Sequence, residues 1–180
     1  AGRHKKAIEL LKQAAELVRP TAEGPSVDAF AATVISLIYS WSAGAHQHYG
    51  LYADSDDWAR CALEFGTRHS IPLSKAAGYE YLGENATHAG NYEAGLKLAE
   101  LELELAEKVR SRERTTWTRF YSALCHMKLR QLDQAEQCFV DGIAIAEMIG
   151  ENRVLILLKA NYASLLAMRG RYDEALQVVQ

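Results

Sequence analysis

The sequence predicts an all-α fold assembled from antiparallel helix pairs, and three observations predict it. The first is an interval of forty residues. Gly50, Gly90, Arg130 and Gly170 share one register, and Tyr52, Tyr92, Leu132 and Tyr172 follow them by two. Ala43, Gly83, Ala123 and Ala163 form a second row in phase, and Ser55, Gly95, Ala135 and Ala175 a third. A fixed period of about 20 to 50 residues marks a stacked-repeat protein. The second observation is apolar spacing of three and four, as in Ile8, Leu11, Ala15 and Val18, or Phe139, Ile143 and Ala146; that spacing is helical. The third is that the single alternating run, Leu101-Glu102-Leu103-Glu104-Leu105, is flanked by strong helix formers. Length and flanks therefore decide for helix there too.

Turn signals set the elements in order. A first helix is predicted over 3–19, closed by Pro20, Gly24 and Pro25. The next spans 27–48, with Ser26 or Asp28 as its cap and Gly50 beyond its end. Asp54, Ser55 and Asp56 favour the start of a helix over 53–68, where acidic and capping side chains suit the dipole. Gly66 and Ser70-Ile71-Pro72 precede a helix over 72–89, and Gly90-Asn91 one over 92–110. Ser111 lies in the break before 114–130. Helices over 132–149, 152–169 and from 172 onward follow, separated by Gly150-Glu151-Asn152 and Gly170. Pairing them gives units of about 27–68, 72–110, 114–149 and 152–180 in one domain over 1–180. The pattern runs into both ends, so the chain is expected to be part of a longer one. The two rows of small residues lie twelve apart across each turn and let the paired helices approach closely.

Composition narrows the function classes. The 180 residues suit one ordinary domain, and the net charge of −3 gives no basis for nucleic-acid binding. The basic cluster from Lys108 to Arg114 is interleaved with Glu107 and Glu113 and reads as a helix end and turn. Three cysteines, Cys61, Cys125 and Cys138, lie apart in apolar helical stretches. They fit buried thiols in a reducing, cytoplasmic setting rather than a disulfide framework. No membrane span or signal peptide is legible.

Small residue, seven residues, Gly, one residue, Tyr, two residues, small residue: this pattern resembles the tetratricopeptide repeat. It reads Gly83…Gly90-Asn91-Tyr92…Gly95 and Ala163…Gly170-Arg171-Tyr172…Ala175. The third unit puts Arg130 in the glycine slot and Leu132 in the aromatic one, and the first runs Ala43…Gly50-Leu51-Tyr52…Ser55. Gly2-Arg3-His4…Ala7 is similar to the same turn, with His4 in the aromatic slot. The resemblance implies a right-handed α-solenoid of tetratricopeptide type. Its forty-residue unit is longer than the usual 34 of the family. Such long units look like those of adaptor scaffolds that bind extended or helical peptides. They also look like the sensor arrays of bacterial signalling ATPases and transcriptional activators.

In this fold the first helix of each pair lines the concave face. The resemblance therefore assigns Leu37, Ser40, Trp41, Gly44, Gln47 and His48 to the groove or its wall in the first unit. In the second it assigns Ala77, Glu80, Tyr81, Glu84, Thr87 and His88. The third gives Trp117, Phe120, Tyr121, Leu124, Met127 and Lys128, and the fourth Leu157, Ala160, Asn161, Ser164, Ala167 and Met168. The third unit is the richest in aromatics, the side chains that most often anchor interfaces. The binding residues expected are Trp117, Phe120, Tyr121, Leu124, Trp41, Tyr81, His48, His88, Glu84 and Asn161, with the aromatics of the third unit foremost. The alternative for each aromatic is packing between neighbouring helices. Glu80 and Glu84, one turn apart, would suit a basic ligand or simply face solvent. The Lys/Asn/Arg clamp that family members use for chaperone-tail carboxylates is missing: Ser40, Glu80 and Phe120 fill one of its rows, and Gly44, Glu84 and Leu124 another.

Other motifs carry less. His46 and His48 are two apart and point away from each other on a helix, so they cannot share an ion. His48 and His88 share a register, but no close-spaced Cys/His set supports a metal, and none is predicted. Asn85-Ala86-Thr87 matches a glycosylation acceptor in mid-helix and is read as coincidence. Asp54-Ser55-Asp56-Asp57 opens like a calcium loop without the Gly and closing Glu that one needs. No phosphate loop, nucleophile elbow or dinucleotide fingerprint is present. The expected function is a non-catalytic scaffold, without cofactor, that binds a peptide, a helix or a partner domain, including another domain of its parent chain. The alternative is a ligand-sensing segment of a multidomain signalling ATPase or transcriptional regulator. Self-association through exposed solenoid ends is a further expectation.

Overall fold

The computed structural model describes residues 2–180, with side chains from residue 5 onward. The described residues form an all-helical array: α1 (Gly2–Glu23), α2 (Ala29–His48), α3 (Tyr52–Arg68), α4 (Pro72–His88), α5 (Tyr92–Lys108), α6 (Arg112–Lys128), α7 (Leu132–Ile149), α8 (Asn152–Met168) and α9 (Tyr172–Val178). Sequential helices are antiparallel and pack pairwise, as in a tetratricopeptide-like solenoid. The chain divides into two compact units, Ala1–Asn85 and Ala86–Gln180.

The backbone repeats at half the sequence period. Positive φ recurs at Gly50, Ser70, Gly90, Arg110, Arg130, Gly150 and Gly170, every twenty residues. At each of them the residue after the left-handed one donates its N–H to the carbonyl five residues back: Leu51 to His46, Ile71 to Gly66, Asn91 to Ala86, Ser111 to Ala106, Gln131 to His126, Glu151 to Ala146 and Arg171 to Leu166. This 6→1 bond is the Schellman closure, which satisfies carbonyls that the helix end leaves open. The sequence marked these turns wherever glycine supplied the left-handed residue. The Ser70 turn was marked by Ser70-Ile71-Pro72, but Arg110 escaped notice because it carries a Cβ there. The Arg110 closure explains why α5 ends at Lys108 and α6 begins at Arg112, each two residues before the expected boundary.

Further boundaries near the start of the chain also differ from expectation. Asp28 is the cap of α2, its Oδ1 accepting from the Ala31 N–H at 2.8 Å, so α2 starts at Ala29. Helix α1 begins at Gly2, where a turn was expected; the His4 side chain lies outside the described residues. At its other end α1 runs through Pro20 to Glu23. Proline removes one donor, but the turn beyond it is tied down. Ala22 is buried, and its carbonyl accepts from Arg68 Nη1 at 3.3 Å and from the His69 ring at 2.9 Å.

In the first unit the core gathers Ala15, Ile35, Tyr39, Ala62 and Phe65, so α1, α2 and α3 close on one another. Helix α4 then lies close against α3. A Cβ added at Gly78 would come within 2.8 Å of the Ala59 carbonyl and 2.7 Å of the Leu63 Cβ, and Ser74 donates to the Ala62 carbonyl at 2.8 Å. Gly78 is off the forty-residue rows, so periodicity did not mark it. The expected small rows are buried at Ala43, Gly83, Ala123, Ser55, Gly95 and Ala135, and half-buried at Ala163 and Ala175.

The core of the second unit is larger: Phe120 and Ala123 of α6, Cys138 and Phe139 of α7, and Val154, Leu158 and Leu165 of α8. A charged knot joins α7 to the end of α8. Glu136 accepts from the Tyr162 hydroxyl at 3.0 Å, from Arg169 at 2.6 Å and from Arg171 at 2.7 Å. Partial burial pushes the Glu136 carboxyl up, but the hydrogen bonds from Arg171 and Tyr162 and the charges of both arginines outweigh it. Its pKa lies below the ordinary value.

These contacts have measurable consequences for stability. Gly78→Ala should cost about 1–3 kcal/mol in denaturant unfolding, because backbone and not a side-chain tip occupies the space. Arg130→Gly should stabilise by up to about 1 kcal/mol by relieving a left-handed residue that has a Cβ. The Glu136 contribution is fully present above the unfolded carboxylate pKa and fades as pH falls through the lower folded value. Glu136→Gln should therefore melt a few degrees below the parent at neutral pH, and the gap should start to narrow as pH falls below about 4 and go on closing through the lower folded pKa. A gap that does not change with pH would refute this charge-based account.

Candidate functional site

The helix phase set by each turn divides the expected groove positions into two stripes. One stripe packs inward or against the next helix pair. In the first unit it contains Ser40, Gly44 and Gln47 on α2, and Glu80 and Glu84 on α4. Gly44 is buried under Tyr81: a Cβ there would meet the Tyr81 hydroxyl at 2.8 Å. Gln47 Nε2 donates to Glu84 Oε2 at 2.9 Å and to Asn85 Oδ1 at 3.0 Å. Asn85 Nδ2 in turn donates to Ser55 Oγ at 3.0 Å and to Asp56 Oδ1 at 2.8 Å. A buried polar chain thus runs from α2 through α4 to the start of α3.

Glu84 was expected to face a ligand. It is 8% exposed and bound into this chain. Asn85, the acceptor of the glycosylation-like triplet, is likewise buried and fully engaged. Asp54-Ser55-Asp56-Asp57 lies within the first turns of α3, where Ser55 is buried and Asp56 serves Asn85.

The second unit places Phe120, Leu124 and Met127 on the same stripe of α6. Phe120, foremost among the expected groove residues, is 6% exposed and belongs to the core, and Leu124 packs against that core half-buried. The packing alternative wins for Phe120 because α7 and α8 both close on α6.

The other stripe faces outward. In the first unit it carries Leu37, Trp41 and His48 on α2 and Tyr81 on α4. Trp41 is 59% exposed. His48 is exposed and its Nδ1–H donates to the Gly44 carbonyl at 2.8 Å, which fixes the ring along the helix. Tyr81 is half-buried across Gly44.

In the second unit the outward stripe forms an aromatic ladder. Trp117 and Tyr121, one turn apart on α6, stack at 6.4 Å between ring centroids and 28° between planes. The His88 ring meets Tyr121 edge-on at 6.0 Å. Trp117 and Tyr121 are half-buried, their inner edges resting on Phe120 at 6.2 and 5.1 Å. Rings held by their neighbours are pre-ordered, which lowers the entropy cost of using their open faces. On α8 the stripe continues with Leu157, Asn161 and Met168. Asn161 Nδ2 donates to the Leu157 carbonyl at 2.8 Å, so this amide is partly spent on its own helix.

Burial raises the thiol pKa of Cys125 and Cys138, which keeps both protonated near neutrality. His46 is buried, its Nδ1–H bonded to the Ser42 carbonyl at 2.7 Å, as expected for a packing histidine. Among the described residues, no three His, Cys, Asp or Glu side chains are grouped to hold a metal ion, and no helix is long and apolar enough to cross a membrane.

No family model and no curated protein matches the chain. Solved structures do. The chain is similar to BtubC (BKLC) from P. vanneervenii, with a TM-score of 0.76 and 16% identity over 98% of this chain and 72% of that one. It is similar to the nearly identical TPR-like repeats of a Podosopora anserina protein described as a kinesin light chain, with a TM-score of 0.70 and 16% identity over 99% and 84%. It is also similar to the apo form of RapI, with a TM-score of 0.72 and 14% identity over 84% of this chain, and it spans only 54% of RapI. At such identities the likeness establishes the fold: a tetratricopeptide-like array of helix pairs.

The two stripes have opposite sensitivities. Phe120→Ala should destabilise the second unit by about 3–5 kcal/mol, as expected for a buried ring. Trp41→Ala should shift the unfolding midpoint little, because most of its surface is already in water. Comparable losses from the two in chemical denaturation would remove the distinction between core and surface stripes.

Proposed function

We propose that the protein is a non-catalytic interaction module that binds a peptide, a helix or a partner domain on the outward stripe of its first helices. One observation carries the reading: Trp41, exposed in the first unit, and the stacked Trp117 and Tyr121 with the exposed His88 ring in the second all lie on the outward stripe. Aromatic side chains supply large contact area at low rotamer cost, and they dominate interface energetics. Leu37, Leu157 and Met168 widen the apolar surface on the same register. Polar groups beside the rings, His48, Lys128 and Asn161, would set the register of a bound chain.

An apolar ladder flanked by sparse polar groups suits an amphipathic helix or an extended segment with apolar residues at regular spacing. A ligand-sensing role within a larger regulator is the second reading; the cavity described below supports it.

The test is selection of binders from a random peptide display library, followed by affinity measurement on single variants. Trp117→Ala and Tyr121→Ala should each weaken the selected peptides roughly tenfold or more, and Trp41→Ala those that engage the first unit. Lys97→Ala, on an exposed face of α5, serves as the control. If the aromatic variants bind as well as that control does, the stripe is not the binding surface.

A further inference from the structure

The first unit contains a cavity that the interaction surface does not use. It measures about 190 Å³ and lies among α1, α2 and α3. That is space for about six water molecules, well short of a drug-sized ligand. Ala15, Ala22, Trp58 and Phe65 form an apolar wall. Tyr39 is 8% exposed and lines the cavity, and its hydroxyl has no hydrogen-bond partner among the described residues. The ring is buried while the hydroxyl oxygen stays open to the cavity, where a ligand can reach it.

The rim of the cavity is charged. Arg19 and Glu23 of α1 and Glu64 and Arg68 of α3 all line it, exposed at their outer ends. Each pair is four apart on its helix, the spacing at which opposite charges normally meet. Neither pair closes, and none of the four is ion-paired to any described residue. Arg68 instead donates to the Ala22 carbonyl at 3.3 Å. The groups converge on the phenol: its pKa is raised first by burial and then by Cys61, with Arg19, Glu23 and Arg68 as the charges that act on it.

Two guanidinium groups, two carboxylates, an unpartnered phenol and an aromatic wall around a small volume define a ligand class. The occupant must be compact, carry both charge signs and present an apolar body. A peptide terminus brings only one main-chain charge, and an inorganic anion answers only half of the rim. We propose that this cavity binds a free amino acid with an apolar side chain, its carboxylate facing Arg19 and Arg68 and its ammonium facing Glu23 and Glu64. The Tyr39 hydroxyl bonds the ligand's polar end, and Trp58 and Phe65 cover its side chain.

The experiment uses the 180-residue chain with Trp41→Phe and Trp117→Phe, which leaves Trp58 as its only indole. Free L-amino acids are titrated by calorimetry and by Trp58 fluorescence, beside their N-acetyl and carboxamide derivatives. Apolar L-amino acids should bind and perturb Trp58. Blocking either charged end should weaken binding roughly tenfold or more, as should Arg19→Gln. Tyr39→Phe keeps the ring packing and should weaken binding several-fold without lowering the melting temperature. Absence of heat and fluorescence change with every free amino acid at millimolar concentration overturns the proposal, and so does equal binding of the blocked derivatives. Because the background variant lacks Trp41 and Trp117, amino-acid binding here is independent of the peptide surface, and either reading can fail alone.

Discussion

The left-handed turn that recurs every twenty residues is the constraint on which the rest depends. Each turn ends one helix with a 6→1 bond and starts the next two residues later, so successive helices enter in the same rotational phase. A helix has no choice of face once its entry is fixed. On α2 and α6 the same register positions are turned inward and the same outward, whereas the outward slot of Leu37 and Trp117 holds a buried Ala77 on α4 and the inward slots of Phe120 and Leu124 hold an exposed Ala160 and Ser164 on α8. Trp41 and Tyr121 occupy one outward slot and Gly44 and Leu124 one inward slot because the backbone, not the individual side chain, decides. That the left-handed residue is Gly four times, Ser once and Arg twice shows how strongly packing enforces the geometry, since a Cβ there costs about 1–2 kcal/mol.

What the sequence made legible follows from this. Periodicity reports backbone phase, so the helices, their pairing and the small rows could be read directly. Glycine reports left-handed turns only where glycine is used, and Arg110 was accordingly silent, while the Ser70 turn was read from Pro72 beside it. Periodicity also cannot separate adjacent slots by burial. Phe120 and Tyr121 are neighbours in sequence, both aromatic and both on the first helix; one lies in the core and the other holds the outer ladder. Which is which depends on how α7 and α8 close on α6. Gly78 and the cavity beside Tyr39 belong to contacts made once, by particular residues, and a repeat pattern has no information about them.

The slots also show two solutions to the same packing problem. The slot of Leu124 in the second unit holds Glu84 in the first, and that of Met127 holds Gln47. The slot of Cys125 holds Asn85. The second unit fills these positions with apolar side chains, while the first builds a hydrogen-bonded chain from Gln47 through Asn85 to Asp56. Asp56 and Glu136 share a slot as well. One anchors an amide, the other two arginines and a phenol.

The polar solution changes what the first unit tolerates. An apolar interface resists small slips in helix position weakly, because any close contact is nearly as good as another. A buried chain of amides and carboxylates resists them strongly, since a displaced donor is left unsatisfied at a cost of about 1–3 kcal/mol. The helices α2, α3 and α4 are thereby held in one relative position by groups that cannot be re-paired at random. This is also the unit whose cavity keeps a phenol unpartnered and four charges unpaired. A site that leaves polar groups open needs surroundings that will not collapse to satisfy them. The directional network in the same unit supplies that rigidity, and the apolar packing of the second unit, around an outward ladder that is itself well seated, has no such demand to meet.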